Sequence, residues 1–139
     1  KTQASSPIQI PGTTWSQSQF GNGFQAAVKT DGTLWCWGVN TNGSLGQNDT
    51  TNRSSPIQVP GTTWSIVKTA GSAVLAKKTD NTLWAWGPNW DGQLGQNQAP
   101  GIAWGFSSPV QIPGVWDELD QHNFQIGGST IKAIGEKLV

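Results

Sequence analysis

The chain has 139 residues, a formal net charge of zero and only 12% charged residues, about half the usual share. The neutral balance argues against a strongly basic nucleic-acid binder, and no apolar run approaches the roughly 20 residues that span a bilayer. Ser, Thr, Asn and Gln fill about a third of the chain while the best helix formers are sparse, so we expect an all-β protein.

Three further features narrow the class of protein. The single cysteine, Cys36, excludes an internal disulfide framework and a multi-cysteine metal site. Nine Trp residues argue against disorder, because disordered chains have few aromatics. No basic start followed by an apolar stretch marks a signal peptide. The first residue is Lys1 rather than Met, which leaves room for a leader or a larger upstream part.

One motif occurs three times along the chain. It reads SSPIQIPG at 5–12, SSPIQVPG at 54–61 and SSPVQIPG at 107–114, and 26 of the 49 positions in 5–53 and 54–102 are identical. We therefore define repeat 1 (5–53), repeat 2 (54–106, with an insertion near 98–105) and a partial repeat 3 (107–139). All three belong to one domain or to a fragment of one. Repeat 3 stops where the earlier copies place Trp35 and Trp84, which leaves about two and two-thirds repeats.

Each repeat contains four strand-like segments, which in repeat 1 are Pro7–Ile10, Thr14–Gln19, Phe24–Lys29 and Thr33–Gly38. Asp31-Gly32 predicts a tight hairpin, and Asp80-Asn81 preserves it because Asn also tolerates a positive φ. The Asn/Gly-rich segments 40–43 and 89–92 form exit loops, and no stretch has helical periodicity. Four short antiparallel strands per unit of about 50 residues are typical of a β-propeller blade.

The longest recurring strings carry a family resemblance. TDGTLWCWGVNTNGSLGQ at 30–47 and TDNTLWAWGPNWDGQLGQ at 79–96 resemble the signature of the regulator of chromosome condensation repeat. The resemblance implies a seven-bladed β-propeller of four-stranded blades. Eukaryotic members often carry a His shortly before the hairpin, where this chain has Phe24–Gln25 and Ala73–Val74. The Trp-rich, Thr/Asn/Gln-rich style is more similar to bacterial or phage relatives.

The number of repeats is too small to close such a ring. A blade buries its faces against its neighbours, so an end blade needs a cap or a partner. We therefore expect an incomplete propeller whose partners are other protein chains. The chain is a fragment of a longer protein, completes a ring by oligomerising, or packs against neighbours in a larger assembly.

Most of the Trp residues recur at fixed repeat positions, which favours a role in the core between blades. Trp35 and Trp37 are two residues apart and share one strand face, while Leu34 and Cys36 share the other. A binding site has no need to repeat, so we assign to the structural core Trp15, Trp35, Trp37, Trp64, Trp84, Trp86 and Trp116.

Non-recurring residues are better candidates for binding a partner. Trp90 replaces Thr41 in the second exit loop, and Trp104 and Phe106 belong to the insertion. Loops of repeat proteins gather on one face, and Trp is enriched at interface hot spots. The candidate partner-binding residues are Trp90, Asp91, Ile102, Trp104 and Phe106, with local packing under the longer loop as the alternative.

Metal and catalytic sites find little support in the sequence. The Asn/Asp segments do not fit a calcium-binding loop. The first ligand position would be Gly38 or Gly87, which has no side chain. The twelfth would be Asp49 or Gln98 instead of the bidentate Glu that the motif requires. We expect Asx-type turns there, with no metal and no cofactor. His122 is the only histidine, and the acidic cluster of Asp117, Glu118 and Asp120 is typical of a solvated loop. Cys36 is expected to be a buried, inert thiol.

These features together favour a non-enzymatic protein–protein interaction or structural module. The low charge and high polar content are typical of an extracellular surface or a virion rather than the cytoplasm. One alternative is a receptor- or glycan-binding adhesin that uses Trp90 and Trp104 as stacking platforms. The family resemblance implies another, namely guanine-nucleotide exchange on a small GTPase or inhibition of an enzyme. No nucleic-acid binding and no membrane insertion are expected.

Overall fold

The computed structural model describes residues 6–97, 105–116, 124–127 and 130–133, and these residues contain strands, turns and bends but no helix. Accordingly, no helix that could cross a membrane occurs in this part of the chain. The ten strands are β1 (Trp15–Phe20), β2 (Phe24–Lys29), β3 (Leu34–Gly38), β4 (Arg53–Val59), β5 (Trp64–Ala70), β6 (Ala73–Lys78), β7 (Leu83–Gly87), β8 (Phe106–Ile112), β9 (Phe124–Gly127) and β10 (Thr130–Ala133).

The strands form two four-stranded antiparallel sheets and a two-stranded hairpin. We name the sheet β1-β2-β3-β4 blade 1 and the sheet β5-β6-β7-β8 blade 2. The hairpin joins β9 to β10, and β9 lies beside β5 as β5 lies beside β1. The all-β expectation is therefore confirmed, and the two sheets are successive blades of an incomplete propeller.

Three of the four strands predicted in repeat 1 are confirmed. Phe24–Lys29 has the predicted bounds, while β1 and β3 differ from the predictions by one residue. The prediction of a strand at Pro7–Ile10 is wrong, because these residues have no strand assignment. Their counterparts in the later repeats do form strands, but as the fourth strand of the blade before.

A repeat and a blade are therefore out of phase along the chain. The segment that opens repeat 2 becomes β4 and pairs with β3 of repeat 1, with Val59 opposite Leu34. In the same way β8 pairs with β7, with Ile112 opposite Leu83. Pro7–Ile10 pairs with none of the described strands and is irregular.

The predicted hairpin turns are present in both blades. Gly32 has a φ of 83° and Asn81, at the same position, has a φ of 66°, so the expectation for Asn is confirmed. The Asp31 carboxylate accepts hydrogen bonds from the Thr33 amide at 3.0 Å and from its hydroxyl at 2.7 Å. Asp80 holds Thr82 in the same way, which fixes the turn without help from burial.

The main core lies between the two blades. On β3, Leu34 and Cys36 point toward blade 2 and are fully buried, while Trp35 and Trp37 lie on the other face, as the spacing predicted. Blade 2 turns its Trp face toward blade 1. The buried cluster comprises Phe24, Ala26, Val28, Leu34, Cys36, Leu45, Val59, Trp64, Val67, Val74, Ala76 and Trp86, with Trp84 packed against it.

A second apolar cluster covers the far face of blade 2. Ile66, Leu75 and Leu83 are buried there, and the partly buried Ile112 and Trp116 pack against them. Trp116 is the counterpart of Trp64 in the third repeat, and its backbone amide donates to the Asn81 carbonyl at 3.0 Å. The Trp64 backbone amide donates to the Gly32 carbonyl in the same way, at 2.9 Å. The residue that follows each of these blade connections is thus joined to the hairpin of the blade before by an equivalent hydrogen bond.

Candidate partner-binding surface

The strand directions divide the connections between two ends of the blades. The β1–β2 and β5–β6 turns and both exit loops, which follow β3 and β7, lie at one end, which we call the loop end. The Asp31 and Asp80 hairpins and the connections between blades lie at the other, which we call the hairpin end. The loop end carries the exit loop, which is the longest connection in a blade.

A buried asparagine organises each exit loop. Asn40 is fully buried, and its side-chain oxygen accepts a hydrogen bond from the Leu45 amide at 2.8 Å. Its amide nitrogen donates to the backbone and side-chain oxygens of Asp49, at 3.0 and 2.9 Å. Asn89 repeats the first contact with the Leu94 amide at 3.0 Å. Asn40 and Asn89 therefore stabilise the loop turns, as expected for asparagines, but they are buried. Their hydrogen bonds matter because a buried, unpaired amide would be costly.

The remaining motif residues anchor the loop to its own blade. Leu45 and Leu94 are fully buried. Gln47 donates from Nε2 to the carbonyls of Leu45 and Gln58, at 3.1 and 2.9 Å, which ties the loop to β4. Gln96 makes the equivalent contacts in blade 2. The recurring NxxGxLGQ string is thus a structural motif that holds the exit loop against its own blade.

Neighbouring blades are also joined at the loop end. The Trp86 indole nitrogen donates to the Ser44 carbonyl at 2.9 Å, and the Ser44 hydroxyl donates to the Ser72 carbonyl at 2.6 Å. The Asn22 amide donates to the Gly71 carbonyl at 2.8 Å. Because these contacts cross from one blade to the next, the loop end of the two blades is a continuous surface with little entropy to lose on binding.

The structure places the predicted partner-binding residues in different settings. Trp90 is 51% exposed on the second exit loop, and Asp91 beside it is exposed. Phe106 is half-buried at the start of β8 and packs against the far-face cluster, so local packing accounts for its position. Ile102 and Trp104 lie outside the described residues.

Two exposed residues at the loop end escaped the sequence argument. Phe20 is 72% exposed at the end of β1, and Val39 is 40% exposed at the start of the exit loop. Repeat 2 has Thr69 and Pro88 at these positions. The signal was therefore available, because Phe20 and Val39 are as non-recurring as Trp90. Only the positions of the strand ends show that all three belong to the same end of the blades.

The repeat-locked Trp residues form one cluster per blade. Trp15 lies 6.5 Å from Trp35 and 6.0 Å from Trp37 between ring centroids, and the corresponding distances from Trp64 to Trp84 and Trp86 are 6.2 and 6.0 Å. Lysine ammonium groups lie over these rings at 4.3–4.8 Å, Lys29 in blade 1 and Lys78 in blade 2.

The two clusters differ in burial. Trp64 and Trp86 are buried against blade 1, whereas Trp15, Trp35 and Trp37 are only partly buried. Trp84 and Trp116 are also partly buried. The equivalent pairs Trp15/Trp64 and Trp37/Trp86 thus differ in burial because blade 1 covers only the second member of each, while Trp35 and Trp84 are partly buried in both blades.

Three aspartates in the turns and the exit loop have lowered pKa values, because nearby groups donate hydrogen bonds to their carboxylates. Hydrogen bonds from the Thr33 hydroxyl and amide hold the pKa of Asp31 below its ordinary value, and Thr82 does the same for Asp80. The pKa of Asp49 is lowered mainly by the Thr51 amide and further by Arg53, whose guanidinium lies 2.7 Å away.

The thiol and the metal-ligating side chains of the described residues were the remaining candidates for reactive groups. Cys36 is buried, as predicted, and desolvation strongly raises its pKa, so the thiolate nucleophile is absent. No cluster of metal-ligating side chains occurs in the described ranges. The predicted acidic cluster of Asp117, Glu118 and Asp120, and His122, lie outside them.

Comparison with known proteins supports the fold. The model of the regulator of chromosome condensation (RCC1) repeat matches residues 31–73, and no curated protein sequence matches the chain. The crystal structure of human WBSCR16 is similar, with a TM-score of 0.67 and 20% identity over 78% of this chain and 27% of that one.

Two structures of the yeast RCC1 protein Prp20 are also similar. One, solved with Prp20 bound to Kap60, has a TM-score of 0.68 and 19% identity over 76% of this chain and 25% of Prp20. The other, from Saccharomyces cerevisiae, has a TM-score of 0.62 and 12% identity over 77% and 27%. The chain thus spans about a quarter of the length of these structures. Residues 31–73 thus match an RCC1 repeat, and the structural similarities show that the two blades have a β-propeller fold.

Proposed function

We propose that the chain is a non-enzymatic protein–protein interaction module of a surface or virion assembly, and that its partner contacts the loop end. The observation that carries the proposal is the exposure of Phe20, Val39 and Trp90 on one end of the blades. All three are large apolar side chains at positions where the two repeats differ. A purely structural role would be served by the recurring residues alone.

Rigidity and charge also support a protein partner. The exit loops are held by Asn40 and Asn89 from within, so little ordering entropy opposes association. An exposed Trp beside the acidic Asp91 supplies an aromatic anchor with a polar rim, which is the usual anatomy of a hot spot. Yeast Prp20 is bound to Kap60 in one of the similar structures, and the other concerns its binding to Gsp1p and histones, which are all proteins.

Site-specific photo-cross-linking tests the proposal directly. A photoreactive phenylalanine analogue at position 90 is compared with the same analogue at position 115, because Val115 is 73% exposed at the hairpin end. In an extract of the source organism we expect a discrete cross-linked protein from position 90 and none from position 115. Equal cross-linking from the two positions, or none from either, would contradict the proposal.

A glycan array separates the main alternative from this proposal. A stacking platform at Trp90 predicts sugar binding by the parent that Trp90→Ala removes, while Val115→Ala leaves it intact. Both side chains are more than half exposed, so neither change should alter the melting temperature noticeably. Sugar binding that depends on Trp90 would contradict a protein partner at this site and favour a glycan receptor.

A further inference from the structure

The tip of the second exit loop combines an aromatic ring with a negative charge. The Gly92 amide donates to the Asn89 carbonyl at 3.2 Å, which closes a β-turn with Trp90 and Asp91 at its two central positions. Both side chains are exposed. Repeat 1 has neither an aromatic ring nor a charge at these two positions, so the pair is particular to repeat 2.

The backbone of this turn is held by other groups. Asn89 is fully buried, and its side-chain oxygen accepts a hydrogen bond from the Leu94 amide at 3.0 Å. The Asp91 amide donates to Oε1 of Gln93 at 2.9 Å. The Trp90 ring and the Asp91 carboxylate take no part in these bonds. Because neighbouring Cα atoms are about 3.8 Å apart, one ligand group can reach both the ring and the carboxylate.

Asp91 differs from the other aspartates that the structure describes. Asp31 and Asp80 accept hydrogen bonds in the hairpin turns, and Asp49 pairs with Arg53. The Asp91 carboxylate makes no hydrogen bond or ion pair with any described residue. The described part of the fold therefore leaves this charge available to a cation from outside the chain.

Trp rings of this chain accept cations at two other places. The Lys29 ammonium lies over two rings of blade 1 and the Lys78 ammonium over two rings of blade 2, at 4.3–4.8 Å from the ring centroids. The negative face of an aromatic ring attracts a cation at such distances. No lysine or arginine in the described ranges lies over the Trp90 ring in this way.

We propose that Trp90 and Asp91 form a subsite for an arginine side chain of the partner protein, a proposal that rests on the proposed function at the loop end. The guanidinium stacks on the indole and donates hydrogen bonds to the carboxylate. Arginine fits because its planar group stacks on aromatic rings and pairs with carboxylates through two parallel bonds. A sugar is usually held in a concave site by several convergent polar groups, whereas the tip of this turn offers one carboxylate.

Chromatography on immobilised arginine tests the subsite directly. The full chain is passed at low ionic strength over agarose that carries arginine amide, coupled through its α-amino group. The reference matrix carries citrulline amide, which has nearly the same shape but no charge. We expect retention on the arginine matrix only, and we expect it to fall as salt is added, because the ion pair is exposed.

Two variants and a control separate the subsite from plain ion exchange. Asp91→Asn removes the charge, and Trp90→Leu removes the ring but keeps the charge. Each should lower retention on arginine by about two- to fivefold. Asp117→Asn changes the net charge by the same amount as Asp91→Asn, and it should elute with the parent chain. Equal far-UV circular dichroism of all four chains shows that the differences do not come from unfolding.

Three results would overturn the subsite. The first is equal elution of the parent chain from the arginine and citrulline matrices. The second is retention that Asp91→Asn lowers and Trp90→Leu does not, because the contact would then be an ion pair alone. The third is the reverse, because the carboxylate would then have no role. The matrices contain no partner protein, so such a failure leaves the cross-linking result at position 90 unaffected. Retention on arginine without a cross-linked protein would count against the proposed function alone.

Discussion

The contact between the Trp86 indole and the Ser44 carbonyl should contribute strongly to the cohesion of the two blades. Trp86→Phe keeps an aromatic ring but removes the donor at 2.9 Å. The Ser44 carbonyl then loses this donor in a residue that is only 2% exposed. Losing such a bond and stranding its acceptor costs about 1–3 kcal/mol, and the volume difference between Trp and Phe adds about 1 kcal/mol.

Trp37→Phe is the matched control for this change. Trp37 occupies the equivalent position in blade 1, but no second blade covers it and it is partly exposed. We expect Trp86→Phe to lower the free energy of unfolding by about 2–4 kcal/mol and Trp37→Phe by less than about 1 kcal/mol. The difference corresponds to roughly 5–10 °C in melting temperature for a chain of this size.

Urea unfolding followed by far-UV circular dichroism measures both variants without relying on Trp fluorescence. The slopes should stay equal, so that a change in midpoint reports stability alone. Hydrogen exchange at Leu45 and Gly46 should also accelerate in Trp86→Phe, because the exit loop loses its contact with blade 2. We reason that burial by the neighbouring blade, rather than the Trp cluster itself, determines how much unfolding free energy is lost. Equal midpoints for the two variants would refute this.

Two further predictions concern the hairpin end. The pKa values of Asp31 and Asp80 are lowered in the folded chain, so their contribution to stability is present above about pH 4 and is lost as the pH falls through the folded pKa. The double change to Asn should flatten the stability profile below pH 4 in urea titrations, and an unchanged profile would contradict this. Gly32→Ala should destabilise by about 3 kcal/mol or more, because its Cβ would meet the Thr62 carbonyl of the next blade's connection and φ is positive. Gly12→Ala is the control, because Gly12 also has a positive φ but its Cβ would meet mainly the flexible Lys29 side chain. It should therefore cost about 1 kcal/mol. Equal melting temperatures for the two variants would exclude the clash at Gly32.

The sequence alone determined the type of blade and the interior of each sheet. The 49-residue offset aligned the strands, and the Leu34–Trp37 alternation assigned the two faces of β3, because side chains alternate across a strand. The hairpin at Asp31-Gly32 also followed from local chemistry, since its hydrogen bonds join residues two apart. These features depend on contacts between residues of the same repeat, so they can be read from the sequence of one repeat.

Only the tertiary structure decided where a blade begins and which faces are covered. Residues 7–10 and β4 have almost the same sequence, yet only β4 is a strand, because a strand needs the edge of another strand to pair with. In the same way, Trp37 and Trp86 are equivalent in sequence and differ in burial. Pairing and burial are properties of the neighbouring blade, so no pattern within one repeat can specify them.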